Sequence, residues 1–387
     1  MSELQFSEAI PLSLYIHLPW CIRKCPYCDF NSHEASTGTF PETQYIESLL
    51  ADLEQSVPLV WGRRVSTIFI GGGTPSLFSA ESLDQLLSSA RGLLNIAPNA
   101  EITMEANPGT FEAEKFSAFR EIGINRLSIG IQSLNNDQLS RLGRIHDRDQ
   151  AINAFKLART AGFENINLDM MFALPEQSTS DAEIDLQTLI DLAPEHISYY
   201  QLTLEPNTLF RKYPPKLPEH DKRADIAERG HKLLEQSGYR QYEVSAFAKP
   251  SYECQHNINY WEYGDYLGVG AGAHGKITDQ AAGKIQRTLK PRQPKQYMAA
   301  MAEHNATSCR DIPQTDLAFE FFVNALRLND GIDKDLFTLR TGLELSYIEQ
   351  ILKQLNRDGL LSDEQARIQP STLGRQFIDD IAQKFLS

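Results

Sequence analysis

Strands and helices alternate along the first half of this chain, which predicts an α/β fold on a parallel sheet. Strand-like runs recur at SLYIHL, STIFI, EITMEA, NRLSIGIQS, NINLDMM and HISYYQ. Helical stretches separate them, and parallel strands joined by helices cross over right-handedly. Six such units are too few for a complete eight-fold barrel. The expected architecture is therefore a partial, open (β/α)6 barrel, with a doubly wound sheet as the alternative. In either case the ligand site lies at the carboxyl ends of the strands.

Each element has a local reason. SLYIHL near residue 13 is followed by a helix-like stretch from about Glu42 to Glu54. STIFI leads to Gly71, and the next helix starts at Ser79, a good N-cap. EITMEA ends at Asn107, Pro108 and Gly109 and gives way to EAEKFSAFREIG, which has helical periodicity. NRLSIGIQS precedes two helical pieces between 136 and 161. NINLDMM runs into Phe172 to Pro175, with a helix near 180 to 192. HISYYQLTLEP closes the series before Pro214, Pro215 and Pro218. Residues 1–215 form the expected barrel and 216–310 a mixed extension of it.

Residues 311–387 read as a third unit, a small winged-helix-like domain. FEFFVNALRLNDGI, DLFTLRTG and LSYIEQILKQLNRDGLL are amphipathic helices with glycine stops, followed by a strand-like turn, LLSDEQARIQP, and a last helix. Its acidic residues, Asp333, Asp335, Glu344 and Glu349, favour packing or partner docking over DNA binding.

The composition excludes several classes of function. A chain of 387 residues exceeds one ordinary core, and no apolar run approaches the length of a membrane span. No basic segment followed by an apolar one marks a secretion signal, and five cysteines, three of them clustered, argue against a disulfide scaffold. The cytoplasm is the expected compartment, with membrane association only through a partner. A formal net charge of −14 argues against a nucleic-acid or anionic-membrane surface. The basic stretch LKPRQPK, residues 289–295, reads as a solvated loop.

The chemistry concentrates in YIHLPWCIRKCPYCDF, where Cys21, Cys25 and Cys28 fall within eight residues. Three thiolates on one loop can hold three irons of a [4Fe–4S] cube and leave the fourth open. The other reading is zinc, with His17 or His33 as fourth ligand, although zinc sites more often show paired CxxC spacings. GGGTPS, Gly71 to Ser76, follows the second strand and lets the backbone approach a ligand closely. Glu105, Gln132, Arg144 and Asp169 fall at or near successive strand ends. Carboxylates there suit hydroxyls or an ammonium, and an arginine suits a carboxylate. Singly each is an ordinary cap or ion pair; together they form a constellation.

A second constellation lies in CQHNINYW, Cys254 to Trp261, followed by GDYLGVGAGAHG. Histidine is a common axial ligand of haem iron, and flat aromatic rings suit a porphyrin face. A lone His-Asn pair is more often structural. Cys254 is a further candidate ligand, though CQHN is not a CxxCH attachment signature. His274 competes with His256.

Taken together, YIHLPWCxxxCxYC, FIGGGTPS, EANPG, SIGIQS, LGRIH and NLDMMFALP resemble the radical S-adenosylmethionine (SAM) superfamily over nearly the whole chain. Within it they resemble the branch containing anaerobic coproporphyrinogen III oxidase and the HemW-type haem chaperones. The resemblance implies that SAM binds the open iron through its amino acid end. It implies Tyr15, Tyr27, Gly72, Gly73, Thr74, Glu105, Gln132, Arg144 and Asp169 as the SAM-contacting residues. HNxxYW is similar to the haem-associated motif of the chaperones. That makes His256 the first candidate iron ligand, with Tyr260 and Trp261 beside the ring. The partner so implied is a haem-receiving protein, with neither its identity nor the oligomeric state specified.

Two departures separate the relatives. The oxidase pattern has a further cysteine where this chain has Phe30, and a long segment ahead of the first strand, where Tyr15 here is only fourteen residues from the start. Both favour the chaperone type. The alternative is a radical SAM oxidase acting on a porphyrinogen.

Overall fold

Near-continuous apolar runs in the six strands reflect burial on both faces of a parallel sheet. A computed structural model describes residues 4–35, 39–109, 115–304, 306–362 and 366–386. In it β1 (Leu12–Leu18), β2 (Arg64–Gly72), β3 (Asn95–Ala106), β4 (Arg126–Gln132), β5 (Ile166–Phe172) and β6 (His196–Gln201) pair in parallel, each beside the next. Every residue of β4 is buried.

Helices cover the outer face: α1 (Glu42–Ser56), α2 (Ala80–Leu93), α3 (Phe116–Glu121), α4 (Asn136–Arg141), α5 (Arg148–Thr160) and α6 (Thr179–Ile190). Their starts are encoded locally. Ser79 accepts from the Ser82 amide, and Asp147 with Gln150 and Ser178 with Asp181 form reciprocal capping boxes. The helix expected in EAEKFSAFREIG is present from Phe116; residues 110–114, where it was expected to begin, lie outside those described.

Residues beyond the barrel extend this sheet at both sides. After α7 (His220–Gln236), β7 (Arg240–Glu243) and β8 (Ala246–Ala248) add antiparallel strands beside β6. After α8 (Gln255–Trp261), β9 (Asp265–Val269) lies parallel to β1, with Leu12 opposite Asp265. β10 (His274–Asp279), β11 (Lys284–Leu289) and β12 (Ser308–Asp311) continue antiparallel. The twelve-stranded order is β12-β11-β10-β9-β1-β2-β3-β4-β5-β6-β8-β7. The strand that carries the cysteine loop is therefore covered on both sides.

A buried carboxylate locks the extension to the barrel. Asp52 of α1 accepts from the Gly270 amide at 3.1 Å and Tyr297 OH at 2.7 Å, and pairs with Lys290. Gly270 has φ +106°, and a Cβ there would lie 2.4 Å from the His17 carbonyl oxygen, so only glycine fits this turn.

α9 (Pro294–Ala302) packs on α1, with Tyr297 and Met301 in the barrel core, and the last unit comprises α10 (Leu317–Ala325), α11 (Lys334–Thr341), α12 (Glu349–Arg357) and α13 (Ile378–Gln383). A two-stranded ribbon, β13 (Ile332–Asp333) with β14 (Arg367–Ile368), completes it. Phe321, Phe322, Phe337 and Phe385 form its centre, which also takes in Tyr263 and Ile285 of the sheet extension.

Candidate cluster and cofactor site

The cysteine loop is tied at both ends. Trp20–Cys21 pairs with His33–Glu34, and Lys24 Nζ donates to the Phe30 and Ser32 carbonyls at 3.0 and 3.1 Å. Within it the Cys28 amide donates to the Cys25 carbonyl at 3.1 Å, which turns the chain so that the three thiols share one chamber. Each sulfur has a polar neighbour. Thr74 Oγ1 donates to Cys21 Sγ at 3.4 Å, Arg144 Nη1 to Cys25 Sγ at 3.6 Å, and Ser32 Oγ lies 3.6 Å from Cys28 Sγ. Burial pushes the Cys21 thiol up to about 11, and the Thr74 hydrogen bond opposes it. Thiolates supplied with donors fit an iron–sulfur cluster, whose properties depend on hydrogen bonds to sulfur. Among the described residues no three His, Cys, Asp or Glu side chains converge on one ion position. Thiolates that each take a separate iron need no such convergence. Of the two histidines considered for zinc, His17 has Nδ1 hydrogen-bonded to Tyr15 OH and Nε2 to the Asn31 carbonyl, each at 2.9 Å, and His33 Nε2 lies 3.3 Å from the Arg292 carbonyl.

The chamber has a volume of about 320 Å³, and Tyr27, Gly72, Gly73, Thr74, Glu105, Gln132, Arg144 and Asp169 all line it. Tyr15 does not; it lines the neighbouring cavity instead. The two glycines are sterically required. A Cβ on Gly72, at φ +120°, would lie 2.5 Å from the His17 ring, and one on Gly73 2.5 Å from the Trp20 carbonyl oxygen. The Gly72 amide donates to Glu105 Oε2 at 3.0 Å. Desolvation, opposed by that amide and helped by nearby Asp169, raises the Glu105 carboxyl to about 7. Asp169 is also raised by burial and accepts from Asn167 Nδ2 at 2.7 Å. It stands within β5 rather than after it.

Gln132 has φ +70° and accepts from Tyr200 OH at 2.6 Å, a strained backbone held by its surroundings. Arg144 Nη2 donates to Asn107 Oδ1 and the Gly130 carbonyl, both at 2.7 Å. Asn107, Arg126, Ser128, Tyr200 and Asn257 also line the chamber and had no separate signal in the sequence. Of these, Asn107 directly follows β3 in the EANPG turn.

The HNINYW segment forms α8, and its residues divide by helical position. His256 is buried between β2 and its own helix: Nδ1 bonds Thr67 Oγ1 and Nε2 bonds Tyr260 OH, both at 2.8 Å. Burial holds the ring neutral, with its pKa lowered to about 3. His256, the first candidate iron ligand, thus has both ring nitrogens engaged in hydrogen bonds. Cys254, the other candidate in this segment, is buried against Glu101 and lines neither cavity. Asn257 lines the cluster chamber, while Tyr260 and Trp261 line a second cavity of about 680 Å³. The two cavities share Phe30, Gly72 and Glu105. The aromatic segment thus lies beside the chamber of the cysteine loop.

A three-cysteine loop, a glycine turn and a ring of strand-end polar groups at the mouth of a partial α/β barrel define a radical SAM protein. Residues 15–189 match the family described as Radical SAM superfamily, and residues 312–377 the HemN C-terminal domain. The chain is 49% identical over 377 residues to "Heme chaperone HemW" of Escherichia coli, covering 97% of this chain and 98% of that one. It is 34% identical to the protein of the same name from Bacillus subtilis, covering 97% and 99%. Its fold matches the coproporphyrinogen III oxidase HemN of Escherichia coli with a TM-score of 0.82 at 25% identity, over 98% of this chain and 90% of that one. The chain belongs to the HemW family within the radical SAM superfamily.

Proposed function

We propose that this chain is a haem chaperone, which binds haem as cargo and passes it to a recipient protein. The observation that carries the reading is the second cavity, edged by aromatic rings and sharing a wall with the cluster chamber. Full-length likeness to proteins named heme chaperone supports it. When bound, a [4Fe–4S] cluster and SAM supply one-electron chemistry. Cys21, Cys25 and Cys28 would hold the cluster. Glu105 and Asp169 would face the cationic parts and hydroxyls of SAM, and Arg144 its carboxylate. We place the protein in the cytoplasm; among the described residues no helix is long and apolar enough to cross a membrane.

Phe30, in place of the extra cysteine of the oxidase pattern, stands 61% exposed on the wall common to both cavities. Anaerobic incubation of the reconstituted protein with SAM, a reductant and coproporphyrinogen III should leave the porphyrinogen unchanged, whereas haem-loaded protein should release haem to an apo-acceptor. Formation of protoporphyrinogen would replace the chaperone with the oxidase.

The SAM assignment has its own check. Glu105→Ala and Asp169→Ala should each weaken SAM about tenfold to a hundredfold with cluster content intact, since a charge-assisted hydrogen bond contributes about 1.5–3 kcal/mol. The pH dependence has a definite sign. Glu105 is raised to about 7, so below that value it carries a proton and no longer attracts a cation. SAM affinity should therefore fall as pH drops through about 7, and Glu105→Gln should flatten that limb. Calorimetric titration at several pH values decides the matter; equal affinities in all variants would remove both carboxylates from the site.

A further inference from the structure

Register and alternation put one set of side chains on the same face of the sheet extension. His274 and Lys276 lie two residues apart on β10 and so point to the same side. Antiparallel pairing places His274 against Leu289 and Lys276 against Arg287 of β11, while Tyr266 of β9 pairs with Lys276. This face forms one wall of the larger cavity. α8 adds Tyr260, whose ring meets Tyr266 edge-on with centroids 4.6 Å apart. The cavity's volume of about 680 Å³ is of the size that encloses a cofactor-sized ligand.

The histidines around the cavity are not equivalent. Both nitrogens of His17 and both of His256 are engaged in hydrogen bonds. His274 lines the cavity, is exposed, and its ring makes no hydrogen bond among the described residues. Burial, with Arg287 and Arg292 nearby, lowers its pKa, which favours the neutral imidazole that binds metal.

The cations differ too. Lys276 is paired with Asp265 at 2.7 Å and Arg287 with Glu320 at 2.6 Å. Arg292 lines the cavity, is exposed, and has no ion pair among the described residues. A guanidinium in that position suits a carboxylate of the ligand.

We propose that this cavity is the cargo site: His274 is the axial ligand of haem iron, the Tyr260–Tyr266 pair packs against the porphyrin, and Arg292 pairs with a propionate. The proposal rests on the haem chaperone reading and deepens it. His256 then has a different job. By bonding Thr67 of β2 and Tyr260 OH it pins α8 to the barrel and orients Tyr260 at the cavity wall. It is a positioning residue.

The test is a haem titration of the full-length protein, followed by difference spectra against the haem-free sample. His274→Ala removes an exposed side chain, so the fold should survive, which a thermal melt confirms. It should bind haem at least about tenfold more weakly, with a displaced Soret band, and added imidazole should restore the wild-type spectrum. His256→Gln should keep the wild-type Soret position. Arg292→Ala should weaken haem but not its dimethyl ester, which lacks the free propionates. Wild-type affinity and spectrum in His274→Ala would overturn the proposal while leaving the chaperone reading in place. So would a His274→Ala spectrum that imidazole does not restore. Failure of the wild-type protein to bind haem would instead overturn the chaperone reading, and the proposal with it.

Discussion

Replacing Cys21, Cys25 and Cys28 together by alanine is expected to abolish the brown anaerobic chromophore and the iron and sulfide that accompany it. The three thiols line one chamber, and each would take its own iron, so no two of them can do the work of three. No substitute stands within reach. Cys254 is buried with Sγ 3.6 Å from Glu101 Oε1, its thiol pushed up to about 12 mainly by burial, and it does not line the chamber. Cys309 is exposed on β12, at the sheet's edge. Iron and sulfide analysis of the anaerobically reconstituted variant is the measurement. Four irons retained per chain would refute the assignment, and stoichiometric zinc in the wild type would point to the other reading of the loop.

The second large effect concerns stability and comes from Asp265. This carboxylate is fully buried and accepts from Lys276 Nζ at 2.7 Å, and from the Thr278 amide and hydroxyl at 2.8 Å each. It also pairs with Arg63 at 2.8 Å. Asp265→Ala would strand the Lys276 ammonium, which is 1% exposed. Breaking a buried pair by removing one partner costs about 3–5 kcal/mol, because the remaining charge stays desolvated. Urea unfolding followed by circular dichroism should show a loss of that size. A variant as stable as wild type would mean that Lys276 sheds its proton at little cost.

The same residue sets a pH limb. Burial works against the Asp265 carboxylate, but Lys276 and Arg63 outweigh it and hold the group below the ordinary carboxylate range. Its stabilisation is therefore present above the unfolded-state value of about 4 and disappears as pH falls through the lowered folded-state value. The acid limb of the stability curve should be shallower in Asp265→Ala. Because Lys276 and Tyr266 belong to the cavity face, haem affinity should fall as well.

Much of the site was readable from local sequence. The three cysteines share one short loop, so their spacing already limits how far apart the sulfurs can be. The strand-end polar residues follow from alternation of strand and helix, since a parallel sheet collects its carboxyl ends at one mouth. Gly72 and Gly73 could be read as positions of close approach, and the structure identifies what approaches them: the His17 ring and the Trp20 carbonyl. Capping residues Ser79, Asp147 and Ser178 likewise act within four residues of themselves.

The sequence by itself therefore determined the parallel sheet, the cysteine loop, part of the polar lining of its chamber and the family to which the chain belongs. Only the tertiary structure decided that β9 would lie beside β1, which sets residues 265–269 against residues 12–16. It also decided the state of His256. Its partner Thr67 is 189 positions away, and a histidine bonded to a buried hydroxyl is spelled no differently from one free to bind iron. Short-range geometry is written in spacing because covalent bonds limit the distance. The direction in which a ring nitrogen points depends on register and packing between strands far apart in the chain, and no spacing rule carries that information.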